Sequence, residues 1–149
     1  MTLLTPENYI IFFKLFLALL LGITLGIERA MAHKTAGMRT FGLVCMGACL
    51  FVIISELMAS QHVNQSSFDP LRMASQIIVG IGFLGAGLII VKGPEIVGLT
   101  TAAGLWVTAG IGMAVGFGLY AIAIFATLIT LFAFVALWAI EEKIKGQNI

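Results

Sequence analysis

Three groupings in this 149-residue chain have the residue types and spacing to do chemistry. The first is "GIGFLG", Gly80 to Gly85, with Gly87 two positions on. It matches G-x-G-x-x-G, in which glycines let a backbone cradle a dinucleotide pyrophosphate at a helix N-terminus. The second is a set of acids. Glu28 with Glu95, or Glu56 with Asp69, would offer oxygen ligands to Mg²⁺, which keeps several waters and needs only one or two carboxylates. The third is a stripe, Thr101, Gly104, Thr108 and Gly112, with Gly116 at its edge. At helical spacing these residues share one face, which would form either a close-packed seam or a polar path.

Each chemical reading has requirements. The nucleotide site needs a strand before the glycines, a helix after them, and an acid about 20 residues on. Leu105 stands at that distance, inside another apolar run, and no β-rich segment supplies a parallel sheet. No acid pair has diagnostic metal spacing, so no metal or other cofactor is expected. His33 and His62 are solitary, and no nucleophile–base pair stands out, so the chain does not read as an enzyme. Cys45 and Cys49 lie one helical turn apart in an apolar stretch and read as small packing residues.

The elements that position these groups follow from composition. The chain is 60% hydrophobic and 10% charged, where a soluble domain carries about 25% charged residues. Its mean hydropathy is +1.11. It cannot cover a water-facing surface, so it reads as a single all-α, polytopic membrane domain over 1–149. The net charge of +1 says little about partners, and with no basic run nucleic acid is not expected as one.

A span needs about 20 apolar residues. Five are predicted, over about 9–27, 40–58, 71–91, 99–115 and 119–140. Thr5-Pro6-Glu7 and Asp69-Pro70 are helix starts, "VGFGLY" (Val115 to Tyr120) is a break, and Trp138 sits at interface depth. The first apolar run lacks a basic start and a cleavage site, so it reads as a span and not a signal peptide. Arg29, Lys34 and Arg39 in the first loop, with Lys143 and Lys145 in the tail, place those segments in the cytoplasm and the N-terminus outside. Lys92 then falls inside. Lys14, two turns into the first helix, is expected to snorkel outward or face a partner. Glu56 and Arg72 are expected to pair on the outer side.

As a membrane helix, the glycine motif acquires a different meaning. Gly80 and Gly87 fall on one face, with Gly82, Gly85 and Ala86 opposite. Membrane helices associate through close backbone approach at small residues. The third helix is therefore predicted to be central, and leucine at Gly82 or Gly85 to disrupt the fold or assembly. Gly22 and Gly26 form a further small-xxx-small pair. Gln76 shares the Gly80 face and is expected to hydrogen-bond to another helix. Glu28 and Arg29 end the first helix, where the helix dipole disfavours a carboxylate. A compensating cluster of Glu28 with Arg39, Thr40, Thr100 and Thr101 is predicted. "GMRTFGLVCMGA" (Gly37 to Ala48) and "GLTTAAGLWVTA" (Gly98 to Ala109) align as a weak internal repeat.

Three segments together, "GIERAMAHKTAGMRT", "RMASQIIVGIGFLGAGLII" and "GLTTAAGLWVTAGIGMAVGFGLY", resemble the MgtC/SapB family of bacterial inner-membrane proteins. The resemblance runs from about Gly22 to Tyr120. It carries the family's motif positions onto Glu28, Arg29, Gly37 to Thr40, Arg72, Gln76, Gly80 to Gly87, Gly98 to Ala102 and Trp106. It implies a five-helix domain in the inner membrane with a cytoplasmic C-terminus. It also implies a role in Mg²⁺ homeostasis and growth at low Mg²⁺, in stress response and virulence inside host cells, and in inhibition of the F-type ATP synthase. Longer members carry a soluble C-terminal domain, so this chain is expected to be a membrane domain alone or a short member. The expected partners are membrane lipid, a second copy (a dimer by preference), and a membrane protein such as the ATP synthase or a transporter. The alternative is a small oligomeric channel or transporter for Mg²⁺ or K⁺.

Overall fold

The computed structural model describes residues 6–61 and 70–145; Thr5, His62 and Asp69, each named above, lie outside the described residues. In chain order the elements are α1 (Pro6–Met31), α2 (Met38–Gln61), α3 (Pro70–Ala86), β1 (Ile90–Lys92), β2 (Glu95–Val97), α4 (Leu99–Gly116), α5 (Tyr120–Phe132), a π-helical turn (Ala133–Leu137) and α6 (Trp138–Lys145). Four helical segments are long and apolar enough to cross a membrane: Asn8–Met31, Met38–Ser60, Leu99–Gly116 and Tyr120–Ile144. The apolar helix Leu71–Ala86 is shorter. A helical membrane bundle therefore stands. α3 returns from the end of the bundle that holds Glu56 to the end that holds Arg29.

Helix α4, not α3, is central, because α4 packs against α1, α2, α3 and α5. Its small-residue stripe makes this possible. Thr101, Gly104, Thr108 and Gly112 are all buried, while Trp106 points outward at 52% exposure. A β-carbon on Gly112 would overlap the carbonyl oxygen of Cys45, and one on Gly116 would lie 2.7 Å from Cβ of Val52. The backbones of α2 and α4 thus touch. α1 reaches α2 the same way. A β-carbon on Gly22 would stand 2.5 Å from the Phe41 carbonyl oxygen, and one on Gly26 2.5 Å from Cα of Met38. Cys45 and Cys49 are free thiols at this three-helix seam and are fully buried.

Helix α3 departs from the sequence reading in two ways. It ends at Ala86 instead of continuing to residue 91. Its last turn tightens through Leu88 N–H to the Gly85 carbonyl and Ile89 N–H to the Ala86 carbonyl. The β-branched run then forms an antiparallel hairpin in which Ile90 pairs with Val97 and Lys92 with Glu95. Gly93, at φ +60°, occupies the first of the two turn positions, where a type II′ hairpin needs glycine. Secondly, α3 is peripheral. A β-carbon at Gly80 or Gly82 meets nothing within 4 Å, and one at Gly85 only touches Ala102 at 3.7 Å. Gly87 lies beyond the helix. The structure therefore gives no steric reason for leucine at Gly82 to disturb the fold of one copy.

The predicted break between the last two long helices is a Schellman turn. Leu119 N–H donates to the Ala114 carbonyl and Gly118 N–H to the Val115 carbonyl, with Gly118 left-handed at φ +75°. This arrangement leaves the Gly116 carbonyl open, and Lys14 takes it. Its Nζ donates to the Gly116 oxygen at 2.6 Å and stands 3.7 Å from Glu56 Oε2. Lys14 thus turns inward and caps the negative end of α4. It is also the ion-pair partner of Glu56, in place of the expected Arg72, which is exposed. A hydrogen bond to a charged group contributes about 1.5–3 kcal/mol, whereas a half-exposed ion pair contributes about 0–1 kcal/mol. Lys14→Met is therefore expected to lower stability in detergent by about 2 kcal/mol and Glu56→Gln by less than about 1 kcal/mol. Equal losses in a chemical unfolding titration would refute the cap and leave the ion pair as the main term.

The two halves of the weak repeat start in the same way. The Gly37 carbonyl accepts from Phe41 N–H at 3.0 Å at the start of α2, and the Gly98 carbonyl from Ala102 N–H at 2.9 Å at the start of α4.

Candidate functional site

A wide concavity lies at the Arg29 end, between the C-terminal turns of α1, the N-terminal half of α4 and α5 with its π-helical turn. It is a groove of about 1580 Å³. Glu28, Arg29, Lys34, Thr100, Thr101 and Glu141 stand around one end, and Val107, Ile122, Phe125 and Ile129 line the rest.

Arg29 organises the charged end. It is only 3% exposed. Its Nε donates to Glu28 Oε2, so the carboxylate at the end of α1 is compensated by its own neighbour in sequence. The guanidinium carbon lies 3.7 Å from the centroid of the Phe134 ring, a cation–π contact. Phe134 also meets Phe41 edge-on, with centroids 6.5 Å apart at 79°. The ring fits because α4 has glycine at 104, where a β-carbon would run into it. Phe134 continues the buried stripe of α5, Ala123, Thr127 and Thr130, at the end of the helix where the π-helical turn begins. π-helical turns inside α-helices recur at functional sites.

The predicted polar cluster assembles only in part. Thr100 and Thr101 share the groove with Glu28 and Arg29, Thr101 buried and Thr100 exposed. Arg39 and Thr40 are exposed on the first turn of α2 and do not line the groove. The physical reason is local. The loop after α1 closes through Lys34 N–H to the Arg29 carbonyl, with His33 left-handed at φ 53°, and Arg29 already satisfies Glu28. Thr108 is fully buried and its hydroxyl donates to the Gly104 carbonyl at 2.7 Å. Thr127 and Thr130 likewise bond carbonyls of their own helix. These hydroxyls are therefore spent within helices, and the Thr/Gly stripe of α4 is a packing seam.

Glu95 sits opposite Lys92 in the hairpin, while Glu28 holds Arg29 and Glu56 holds Lys14; Asp69, the other member of the Glu56 pair, lies outside the described residues. Among the described residues no three His, Cys, Asp or Glu side chains gather to hold an ion. Gln76 is exposed, not bonded into the bundle core. It lines a second concavity of about 480 Å³ between α2 and α3, with Gly47 and Gly80 in its walls. A β-carbon on either glycine would meet nothing within 4 Å.

Sequence reasoning missed Phe134 and the destination of Lys14. Ala123, Thr127, Thr130 and Phe134 do recur at the helical spacing of a buried face, and that periodicity was the available signal for Phe134.

Comparison with known proteins agrees with the residues that carry the resemblance. The sequence profile of the MgtC family matches residues 15–143. The chain is 40% identical over 140 residues to the putative magnesium transporter YhiD of Escherichia coli K12, a match covering 91% of this chain and 64% of YhiD. It is 42% identical over 132 residues to protein MgtC of Salmonella typhimurium, covering 89% of this chain and 54% of that protein. An uncharacterized protein of Haemophilus influenzae is 43% identical over 134 residues, with 87% and 56% covered. The chain thus spans between half and two thirds of the length of these curated relatives. No solved structure gives a significant match. With a family profile over nearly its whole length and relatives at about 40% identity, the chain belongs to the MgtC family.

Proposed function

We propose that the chain is a five-span inner-membrane protein that serves Mg²⁺ homeostasis as a regulator, by docking its α3 face on a second copy or on another membrane protein. The Mg²⁺ link comes from relatives named for magnesium transport. A role in low-Mg²⁺ adaptation and virulence, with the F-type ATP synthase or a transporter as target, is the form this function takes in our reading. α3 counts as the fifth span because it connects the two ends of the bundle, and its 17 residues reach about 25 Å. The N-terminus is outside and the C-terminus cytoplasmic. Arg29 and Lys34 line one groove with Ile96 of the hairpin and Glu141 of α6, so the first loop, the hairpin and the tail share one basic end.

One observation carries the docking role: the glycines of α3 that find no neighbour within one copy. Inside the bundle, Gly22, Gly26 and Gly112 are closed by backbone from a neighbouring helix. Gly80 and Gly82 are open, as is Gly47 across the furrow, and Gln76 lies beside them. Lipid tails give no hydrophobic drive for helix association, so an exposed glycine face with an amide is what a partner helix would need for close approach.

Cysteine crosslinking at Met73 and Ile81 in native membranes tests the reading against the channel alternative. Crosslinked dimers or a crosslinked membrane partner are expected, abolished by Gly80→Leu with the fold intact. Purified protein in liposomes should pass no Mg²⁺ or K⁺ above empty vesicles. Cation flux that persists in Gly80→Leu, without crosslinks, would replace the regulator by the channel.

A further inference from the structure

We propose that the Arg29 groove is a binding site for one phospholipid of the cytoplasmic leaflet, with its phosphate at the charged end and an acyl chain along α4 and α5. The inference is independent of what the α3 face recruits.

The argument starts from polarity along the groove. One end is ionic, with Arg29 and Lys34 on the α1 side and Glu141 on α6. The remainder is apolar, walled by Val107, Phe125 and Ile129. Only an amphiphile lying along the helices matches both ends. Length allows it. On α4 the wall runs from Leu99 to Val107, about 12 Å, close to half of a hydrocarbon core about 30 Å thick, and on α5 it continues to Ile122. The apolar wall belongs to segments that cross the membrane, and Phe125 is 64% exposed there. Water does not fill such a space at hydrocarbon depth, so a chain or a helix must.

A helix fits poorly. Helix docking uses small residues that let backbones meet, and the glycine on this wall, Gly104, is already covered by the Phe134 ring. Val107, Ile122, Phe125 and Ile129 stand among the alanines Ala103, Ala126 and Ala133, an uneven wall that suits a flexible chain. The charges then select the headgroup. Glu28 is held by Arg29, so Lys34 and Glu141 are the opposite charges left at the mouth. They complement a headgroup that carries both a phosphate and an ammonium. The first turn of α4 adds to the phosphate side, because Gly98 provides no side-chain cap for its backbone N–H groups. The occupant is therefore an aminophospholipid.

Two measurements on the full chain test this. In wild-type protein reconstituted in nanodiscs, a photoreactive phosphatidylethanolamine with its label on the acyl chain should crosslink chiefly to Val107, Phe125 and Ile129. Labels spread evenly over the outer faces of α2 and α3 would overturn the site. In native mass spectrometry from mild detergent, phosphatidylethanolamine should be retained several-fold over phosphatidylglycerol with the same chains, and inorganic phosphate at millimolar concentration should not displace it. Glu141→Lys should reverse that preference, by about fivefold per charge. Ala103→Trp should fill the groove, since Ala103 lines it and is exposed, and should abolish retention of both lipids. Displacement by phosphate would show a simple anion site. Retention unchanged in Ala103→Trp, or crosslinks to a second copy in place of lipid, would reject lipid as the occupant.

Discussion

Leucine in place of Gly112 should leave no folded protein, whereas leucine in place of Gly80 should leave a normal one. The two residues are the same type, in the same kind of helix, in the same apolar setting. Their difference is what stands opposite. A β-carbon on Gly112 would overlap the Cys45 carbonyl oxygen and crowd the rest of that peptide, with Cys45 Cα at 3.0 Å. The obstacle is backbone, which cannot rotate away as a side chain can. α2 and α4 must separate, the contact of Gly116 with Val52 lies along the same seam, and Cys45 also carries the close contact of Gly22 in α1. Overpacking against side chains costs about 1–3 kcal/mol. Here several contacts open together, and a domain holds only about 5–15 kcal/mol in total. Gly112→Leu is thus expected to abolish the monodisperse peak in mild detergent. Gly112→Ala should retain a peak with a markedly lower thermal midpoint. Gly80→Leu should match wild type in both, because its β-carbon meets nothing within 4 Å. A well-folded Gly112→Leu protein would mean that α2 and α4 do not touch through their backbones.

That contrast also measures what the sequence could say. The membrane bundle was legible because 60% hydrophobic residues leave no alternative. The seam of α4 was legible because Thr101, Gly104, Thr108 and Gly112 recur at the helical period. The break before Tyr120 was legible as a glycine that can turn left-handed, Gly118. The hairpin was not. Ile89 to Val91 extends an apolar run, and a short apolar run has no period that separates strand from helix. Only Gly93-Pro94 between β-branched flanks pointed to the turn. The role of α3 was illegible for a different reason. Sequence shows that a helix face is bare, but not whether the molecule itself covers it, so Gly80 and Gly112 looked alike. The charged residues show the same limit. Lys14 finds its carbonyl 102 residues away, and Arg29 lies over Phe134. Neither partner follows from local spacing, and the expected pairings of Glu28 with Arg39 and Glu56 with Arg72 were choices by proximity in the loops. Of the two, the Arg29–Phe134 contact lies in the groove wall.

Arg29 is where removal of one side chain should hurt most. Arg29→Ala is expected to cost about 3–5 kcal/mol, the range for breaking a buried ion pair by deleting one member. The terms are identifiable. Glu28, with its side chain 18% exposed, would be left as a half-buried carboxylate at the C-terminal end of α1, where the helix dipole opposes it. Phe134 would lose a cation at 3.7 Å, and the ring would border a void the size of the missing side chain. Arg29→Lys should recover only part of the loss, because an ammonium restores charge but not the planar stack. The decisive variant is the double substitution Arg29→Met with Glu28→Gln. Replacing a buried pair by groups of similar volume is often neutral or stabilising, so this protein should unfold close to wild type although each single change is damaging. A double variant as unstable as the sum of its parts would show that Arg29 and Glu28 act separately. Recovery in the double variant would place the cost of Arg29→Ala in the stranded carboxylate, with the cation–π contact as the smaller term.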